Sequence, residues 1–122
     1  MAATARTKIQ LSVTGLGTEL EVPINFTTTT TPTRKVHNRQ VQASADTDEA
    51  LQLGDISTVL LMVIECITND VDIDLDYVSS FDADLTINEG EAAVIPLPAG
   101  VVRIKNNDSG EVSTVDVTLI GT

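Results

Sequence analysis

Apolar and polar residues alternate with a period of two through most of this chain, the pattern of strands that bury one face. In "KIQLSV" the residues Ile9, Leu11 and Val13 share a face, and in "ELEVPINF" Leu20, Val22, Ile24 and Phe26 do the same. The intervening "GLG" at 15–17 turns the chain, so the two segments read as a hairpin. Pro23 has no N–H to give a ladder and marks an edge strand or a bulge. "TTTTTPT", from Thr27 to Thr33, has β propensity but no apolar side and reads as an extended connection or an exposed arm. "RKVHNRQVQA" alternates weakly, through Val36 and Val41. "DTDEALQL" reads as a short turn, or a brief helical turn, leading to a strand with Leu51 and Leu53 inward.

"STVLLMVIECIT", residues 57–68, is apolar on both faces. It predicts an interior strand, covered by an opposing sheet on one side and by a partner subunit or a folded-over arm on the other. "ND" at 69–70 reads as a hairpin turn, although it lacks the Gly that usually marks one. "VDIDLDY" follows with the cleanest alternation in the chain, placing Val71, Ile73, Leu75 and Tyr77 on one face. "ADLTI", "AAVIPL", "VVRIK" and "STVDVTLI" complete the set, separated by "NEGE", "PAG" and "NNDSG". Turn residues at that spacing suit a β-sandwich. The expectation is one all-β domain over residues 1–122, with eight to ten strands, no amphipathic helix and no repeat. Residues 1–8 and 27–35 are left as extended arms or loops.

Composition narrows the function more than the fold. The chain has 122 residues, enough for one domain with a real core, yet its aromatics are only Phe26, Tyr77 and Phe81. The core therefore falls to Val, Ile, Leu and Ala, which pack well on a pleated surface. The net charge of −11 is uneven. Residues 1–45 set Arg6, Lys8, Arg34, Lys35 and Arg39 against Glu19 and Glu21, while residues 46–122 set sixteen acids against Arg103 and Lys105. An acidic body argues against nucleic acid, which needs clustered cations. The N-terminal cations either meet an acidic partner surface or stay solvated. Cys66, the single cysteine, lies in an apolar run and reads as a buried free thiol. "MAATARTKIQ" lacks the apolar stretch of a secretory signal, and Val59 to Ile64 is too short to span a bilayer, so a cytosolic origin and no membrane contact are expected.

One segment resembles chemistry. "NDVDIDLDYVSSFDADL" carries Asp70, Asp72, Asp74, Asp76, Asp82 and Asp84. On a straight strand, alternate carboxylates stand about 7 Å apart, too far to gather around a Ca²⁺ ion with ligands at ~2.3–2.6 Å. An EF-hand loop starting at Asp72 would need Gly at Tyr77 and Glu at Ala83. The acids read first as a wet sheet face that discourages edge pairing, with Asp76, Asp82 and Asp84 as weak metal candidates across the "YVSSF" turn. Glu89 and Glu91 flank Gly90 on a tight turn, with no aromatic sugar platform to make them a glycosidase pair. One His37 and one Cys66 do not make a zinc site, and "TGLGTE" is not a phosphate loop. No catalytic residue and no cofactor are expected.

The C-terminal half, from about residue 55, carries "TVLLMVIECIT", the turn "ND", "VDIDLDY", "ADLTINEGEAAVIPLPAGVVRIKN" and a terminal "VDVTLIGT". This layout resembles the small β-sandwich virion proteins of tailed bacteriophages, of the capsid decoration (cement) type. The resemblance implies a jelly-roll sandwich with an extended N-terminal arm, made in the host cytoplasm and carried on the virion surface. It implies a non-enzymatic role: binding the phage major capsid protein and copies of itself, as a trimer, to clamp the shell. Arms in such proteins reach across neighbours, which would make Arg6, Lys8, Arg34, Lys35, Val36 and Arg39 the partner-binding residues. Two alternatives stay open, a tail, neck or fibre-base component and a carbohydrate-binding or adhesin module. The second is weakened by the shortage of aromatic rings for sugar stacking.

Overall fold

A computed structural model describes residues 2–42, 48–96, 100–107 and 110–122. Ten strands are present among them: β1 (Arg6–Val13), β2 (Leu20–Thr27), β3 (Arg34–Gln42), β4 (Glu49–Ala50), β5 (Val59–Thr68), β6 (Val71–Tyr77), β7 (Leu85–Ile87), β8 (Ala92–Pro96), β9 (Val101–Asn106) and β10 (Ser113–Gly121). They form two four-stranded antiparallel sheets, ordered β3-β10-β5-β8 and β4-β9-β6-β7, and a separate two-stranded ribbon, β1-β2. Parts of the "PAG" turn, of "DTDEALQL" and of "NNDSG" lie outside the described residues.

Alternation does what the sequence promises where two sheets can share it. In β10 the side chains of Val115, Val117 and Leu119 point inward and are buried, while Thr114, Asp116, Thr118 and Ile120 face out. From the other sheet Val71, Ile73, Val102 and Ile104 meet them, with Met62, Ile64 and Cys66 of β5, in one apolar cluster. Burying each such aliphatic side chain stabilises by about 1.5–3 kcal/mol relative to exposure. Leu51 and Leu53 turn inward as expected, and Leu51 is buried.

Three expectations change, and the threonine run takes the connecting course that its sequence also allowed. "ND" is not a hairpin turn: β5 pairs with β10 and β8, β6 with β9 and β7, so Asn69 and Asp70 carry the chain from one sheet to the other. Asn69 takes a positive φ of 55°, and its side chain donates to the Val112 carbonyl at 2.6 Å, which holds the corner without glycine. The threonine run is not a free arm. Thr28 N–H donates to Ala5 at 3.1 Å, Thr33 N–H to Gly121 at 2.9 Å, and Pro32 is buried. Val36, expected on a partner surface, packs inward against the core. Asp74, expected on the wet face of β6, is only 1% exposed.

Strand β3 has few apolar residues because it buries amides instead. The Gln40 side chain donates to the Ala50 carbonyl and accepts from Gln52 N–H, both at 3.0 Å. It thereby ties β3 to the β4 segment across the gap between the sheets. At the far end, β10 closes on the 57–58 segment. A Cβ on Gly121 would stand 2.1 Å from the Thr58 carbonyl oxygen, so only glycine permits that approach.

Candidate functional site

The ribbon presents two unlike faces. Its register pairs Thr7 with Phe26, Ile9 with Ile24, Leu11 with Val22 and Val13 with Leu20. Directly opposed residues share a face, so seven of those eight side chains make one apolar surface. The other face holds Arg6 with Thr27, Lys8 with Asn25, Gln10 with Pro23 and Ser12 with Glu21. Gly15 and Gly17, at φ of 83° and 84°, turn the chain at the tip. Among the described residues, neither strand joins another sheet or packs substantially on another strand. Leu11 is consequently 53% exposed, Leu20 51%, Ile24 45% and Ile9 37%, with Leu16 at the tip 84% exposed.

The six residues expected to bind a partner separate into four groups. Arg6, Arg34 and Lys35 line one open cleft of about 900 Å³ between the ribbon base and the outer face of the β3-β10-β5-β8 sheet, with Leu61 and Ile120 among its apolar lining. Within it Arg34 pairs with Asp55 at 3.2 Å. The chain across the cleft from Leu61 includes residues 2–6 and 32–35, so at this end the outer side of β5 is covered by its own N-terminal segments. Lys8 stands on the polar face of the ribbon. Arg39 is engaged within the chain: Nε donates to Asp116 Oδ1 at 2.7 Å and Nη2 to Oδ2 at 3.0 Å. That fork holds the Asp116 carboxyl below the usual carboxylate range. Beside it, His37 Nδ1 lies 2.7 Å from the Thr118 hydroxyl. Val36 is turned inward, away from this surface.

The acidic segment folds back on itself. After Asp74 the β6 register slips before Tyr77, and the following loop returns toward the strand. Asp74 Oδ1 accepts from Asp76 N–H at 3.1 Å and Oδ2 from Asp82 N–H at 3.0 Å. Asp84 accepts from Leu75 N–H at 2.7 Å and donates its own N–H to Ile73 at 2.8 Å. Carboxylate oxygens of Asp74, Asp76 and Asp84 thus come within 4.8 Å of one another. Of the three metal candidates, the fold gathers Asp76 and Asp84 but adds Asp74 in place of Asp82, whose backbone serves the Asp74 carboxylate. Crowding raises the Asp76 carboxyl above its ordinary value, chiefly through Asp84, then through burial and Asp74. Both Asp74 oxygens already hold backbone N–H groups, so the cluster works as a loop clasp. Asp70 is likewise structural, accepting Glu89 N–H at 2.9 Å, while Asp72 faces outward and accepts from Asn107 at 2.9 Å.

Glu89 and Glu91 also serve the backbone. Glu89 accepts from Asn69 N–H at 2.9 Å and Glu91 from the Asn88 side chain at 3.1 Å, fastening the β7–β8 turn to the sheet-to-sheet corner. Beneath that corner, Cys66 is fully buried and its thiol donates to the Asn69 carbonyl. Burial, helped by Asp70 and Glu89, pushes the thiol up to about 11. Comparison with protein-family models, curated proteins and solved structures returns no match for this chain.

Proposed function

We propose that this chain is a non-enzymatic structural subunit of a tailed-phage particle, of the capsid-decoration type, which fastens to the shell protein and to copies of itself. The observation that carries the reading is the ribbon, a β surface whose apolar face pairs with neither four-stranded sheet among the described residues and is largely exposed. Large exposed apolar surface of this kind marks an interface. The strand order β3-β10-β5-β8 against β4-β9-β6-β7 supports a jelly-roll sandwich, an architecture frequent among capsid proteins. Fold alone assigns no function, so the weight rests on the ribbon and on the cations at its base.

In this reading the cleft receives an acidic segment of the shell protein, with Arg6, Arg34 and Lys35 orienting it and Ile120 supplying apolar contact. The test is co-sedimentation with undecorated shells of the phage that encodes the chain. Saturable binding supports the proposal, as does its loss when Arg6, Arg34 and Lys35 are together replaced by Ser. Absence of binding to those shells at low salt overturns it, and binding to tails alone moves the subunit to the tail.

A further inference from the structure

We infer that the free edge of β1 takes up an extended segment of a partner protein as a third strand of the ribbon, and that this segment alternates acidic and apolar residues. The ladder decides which backbone groups are free. Thr28 N–H donates to the Ala5 carbonyl at 3.1 Å, so residues 5 and 28 form a hydrogen-bonded pair. Such pairs recur every second residue of an antiparallel ladder, which turns the odd-numbered residues of β1 toward β2. Pro23, with no N–H to give, sits opposite Gln10 at one of the unbonded positions and agrees with that phase. Arg6, Lys8, Gln10 and Ser12 therefore direct their N–H and C=O groups away from β2. Among the described residues no backbone group pairs with them there, and all four are exposed.

The two edges of the ribbon differ. On β2 the outward groups belong to Glu21, Pro23, Asn25 and Thr27, so proline breaks that edge near its middle. Nothing interrupts the β1 edge over its eight residues. The edges of the four-stranded sheets are short, stopped or covered. Strand β4 has two residues and β7 three, β8 ends at Pro96, and the side chains of Asn38 and Gln40 hold the 50–52 segment beside β3. A third strand also meets a deficit of the ribbon, because a sheet needs about three strands and an apolar face to be stable by itself.

The side chains of β1 specify the occupant. Alternation puts Arg6 and Lys8 on the polar face and Ile9, Leu11 and Val13 on the apolar one. Residues of an added strand stand directly beside these, each on the same face as its neighbour. Carboxylates beside Arg6 and Lys8, with aliphatic side chains beside Ile9 and Leu11, complete both rows at once. A strand with cations on its polar face is repelled. The β1 edge of a second copy brings only cations or the uncharged Gln10 and Ser12 to that face, and with them another acidic body. The chemistry favours a different protein. Arg6 also lines the cleft with Arg34 and Lys35, so one end of the added strand enters that basic cleft.

The inference holds whichever particle the partner belongs to, and its test uses a synthetic peptide. The probe is a capped eight-residue peptide alternating Glu and Val, matched to the length of β1 and titrated into the full chain. Hydrogen exchange followed by NMR at saturating peptide should slow about tenfold or more at the amides of Lys8, Gln10 and Ser12. A peptide alternating Lys and Val should leave them unchanged. Gln10→Pro removes one outward N–H and leaves the β1–β2 bonds in place, so it should weaken binding about tenfold, while Gln10→Ala should stay within about twofold.

A charge-reversed chain guards against a proline variant that merely distorts the ribbon. Arg6→Glu with Lys8→Glu should exchange the preference and bind the Lys–Val peptide instead. Failure of the Glu–Val peptide to bind, exchange at those amides unaltered by bound peptide, or equal binding of the two peptides by the native chain would each overturn the edge. A chain that coats shells although the peptide leaves its β1 amides unprotected would refute the edge and leave the proposed function standing. Protection by the peptide in a chain that binds no shell would do the reverse.

Discussion

In β9 and β10 the inward side chains of one sheet meet those of the other, and Ile104 and Leu119 are fully buried; in β1 and β2 the equally apolar Leu11 and Leu20 remain about half exposed. Both regions obey the same period of two, and both are well paired along their ladders. What differs is the layer opposite. The body supplies its own second sheet, while the ribbon has none. Alternation specifies that a strand has an apolar face; what covers that face is set by the rest of the chain or by another molecule.

The contrast can be tested by truncating equivalent residues. Ile104→Ala, in the closed core, should destabilise the chain by about 2–5 kcal/mol, measured by urea unfolding at a concentration low enough to keep it monomeric. Should the loss be under about 1 kcal/mol, the two sheets do not share the tight core described. Asp74→Ala comes next. Removing an acceptor that serves two N–H groups should cost about 1–3 kcal/mol and loosen the 78–84 loop, visible as faster amide exchange at Asp76 and Asp82. Unchanged exchange there would mean that the clasp does not hold the loop.

The pH dependence is smaller, and its two main groups act in opposite directions. Asp116 is held below the usual carboxylate value, so its stabilisation is present above that value and is lost as pH falls through its lowered one. Arg39→Gln should therefore flatten part of the acid limb of a thermal-melt series. Asp76 is raised, so its contribution is present below the ordinary value and is lost as pH rises through the raised one. Asp76→Asn should accordingly raise the melting temperature at neutral pH, and a fall there would contradict the crowding described. The smallest effect belongs to the ribbon. Leu11→Ala should change the stability of the dilute monomer by no more than about 0.5 kcal/mol, and a larger loss would mean that something in the chain already covers that face.

Much of the fold was legible because period-two patterning is a local signal. The ribbon strands, the inward set of Val71 and Ile73, and the interior place of β5 all follow from it. The sheet-to-sheet corner was not legible, since "ND" is compatible with a hairpin and with a crossing, and the choice lies with distant β9 and β10. Asp74 could not be told from Asp72 and Asp76, its equals in the alternation, because its burial depends on a loop that returns eight residues later. In β3 the buried Gln40 hides the strand's inward face, so nothing local tells that Val36, which neighbours Arg34 and Lys35 in sequence, turns toward the core. Of the site, the cations themselves could be read from the sequence. That Arg6 shares a cleft with Arg34 and Lys35, while Arg39 is claimed by Asp116, depends on pairing across the sheets.

The buried thiol under the corner gives the molecule an internal clock. A thiolate is the reactive form, and Cys66, fully enclosed and pushed up to about 11, offers almost none of it to a reagent while the body is closed. Its modification therefore proceeds only through molecules in which the crossing between β5 and β6 has parted. With the reagent slow relative to reclosing, the labelling rate reports the population of that opened form. Because the ribbon lies outside this unit, adding a ribbon partner should leave the rate untouched, whereas loosening the corner through Asn69→Ala should speed it.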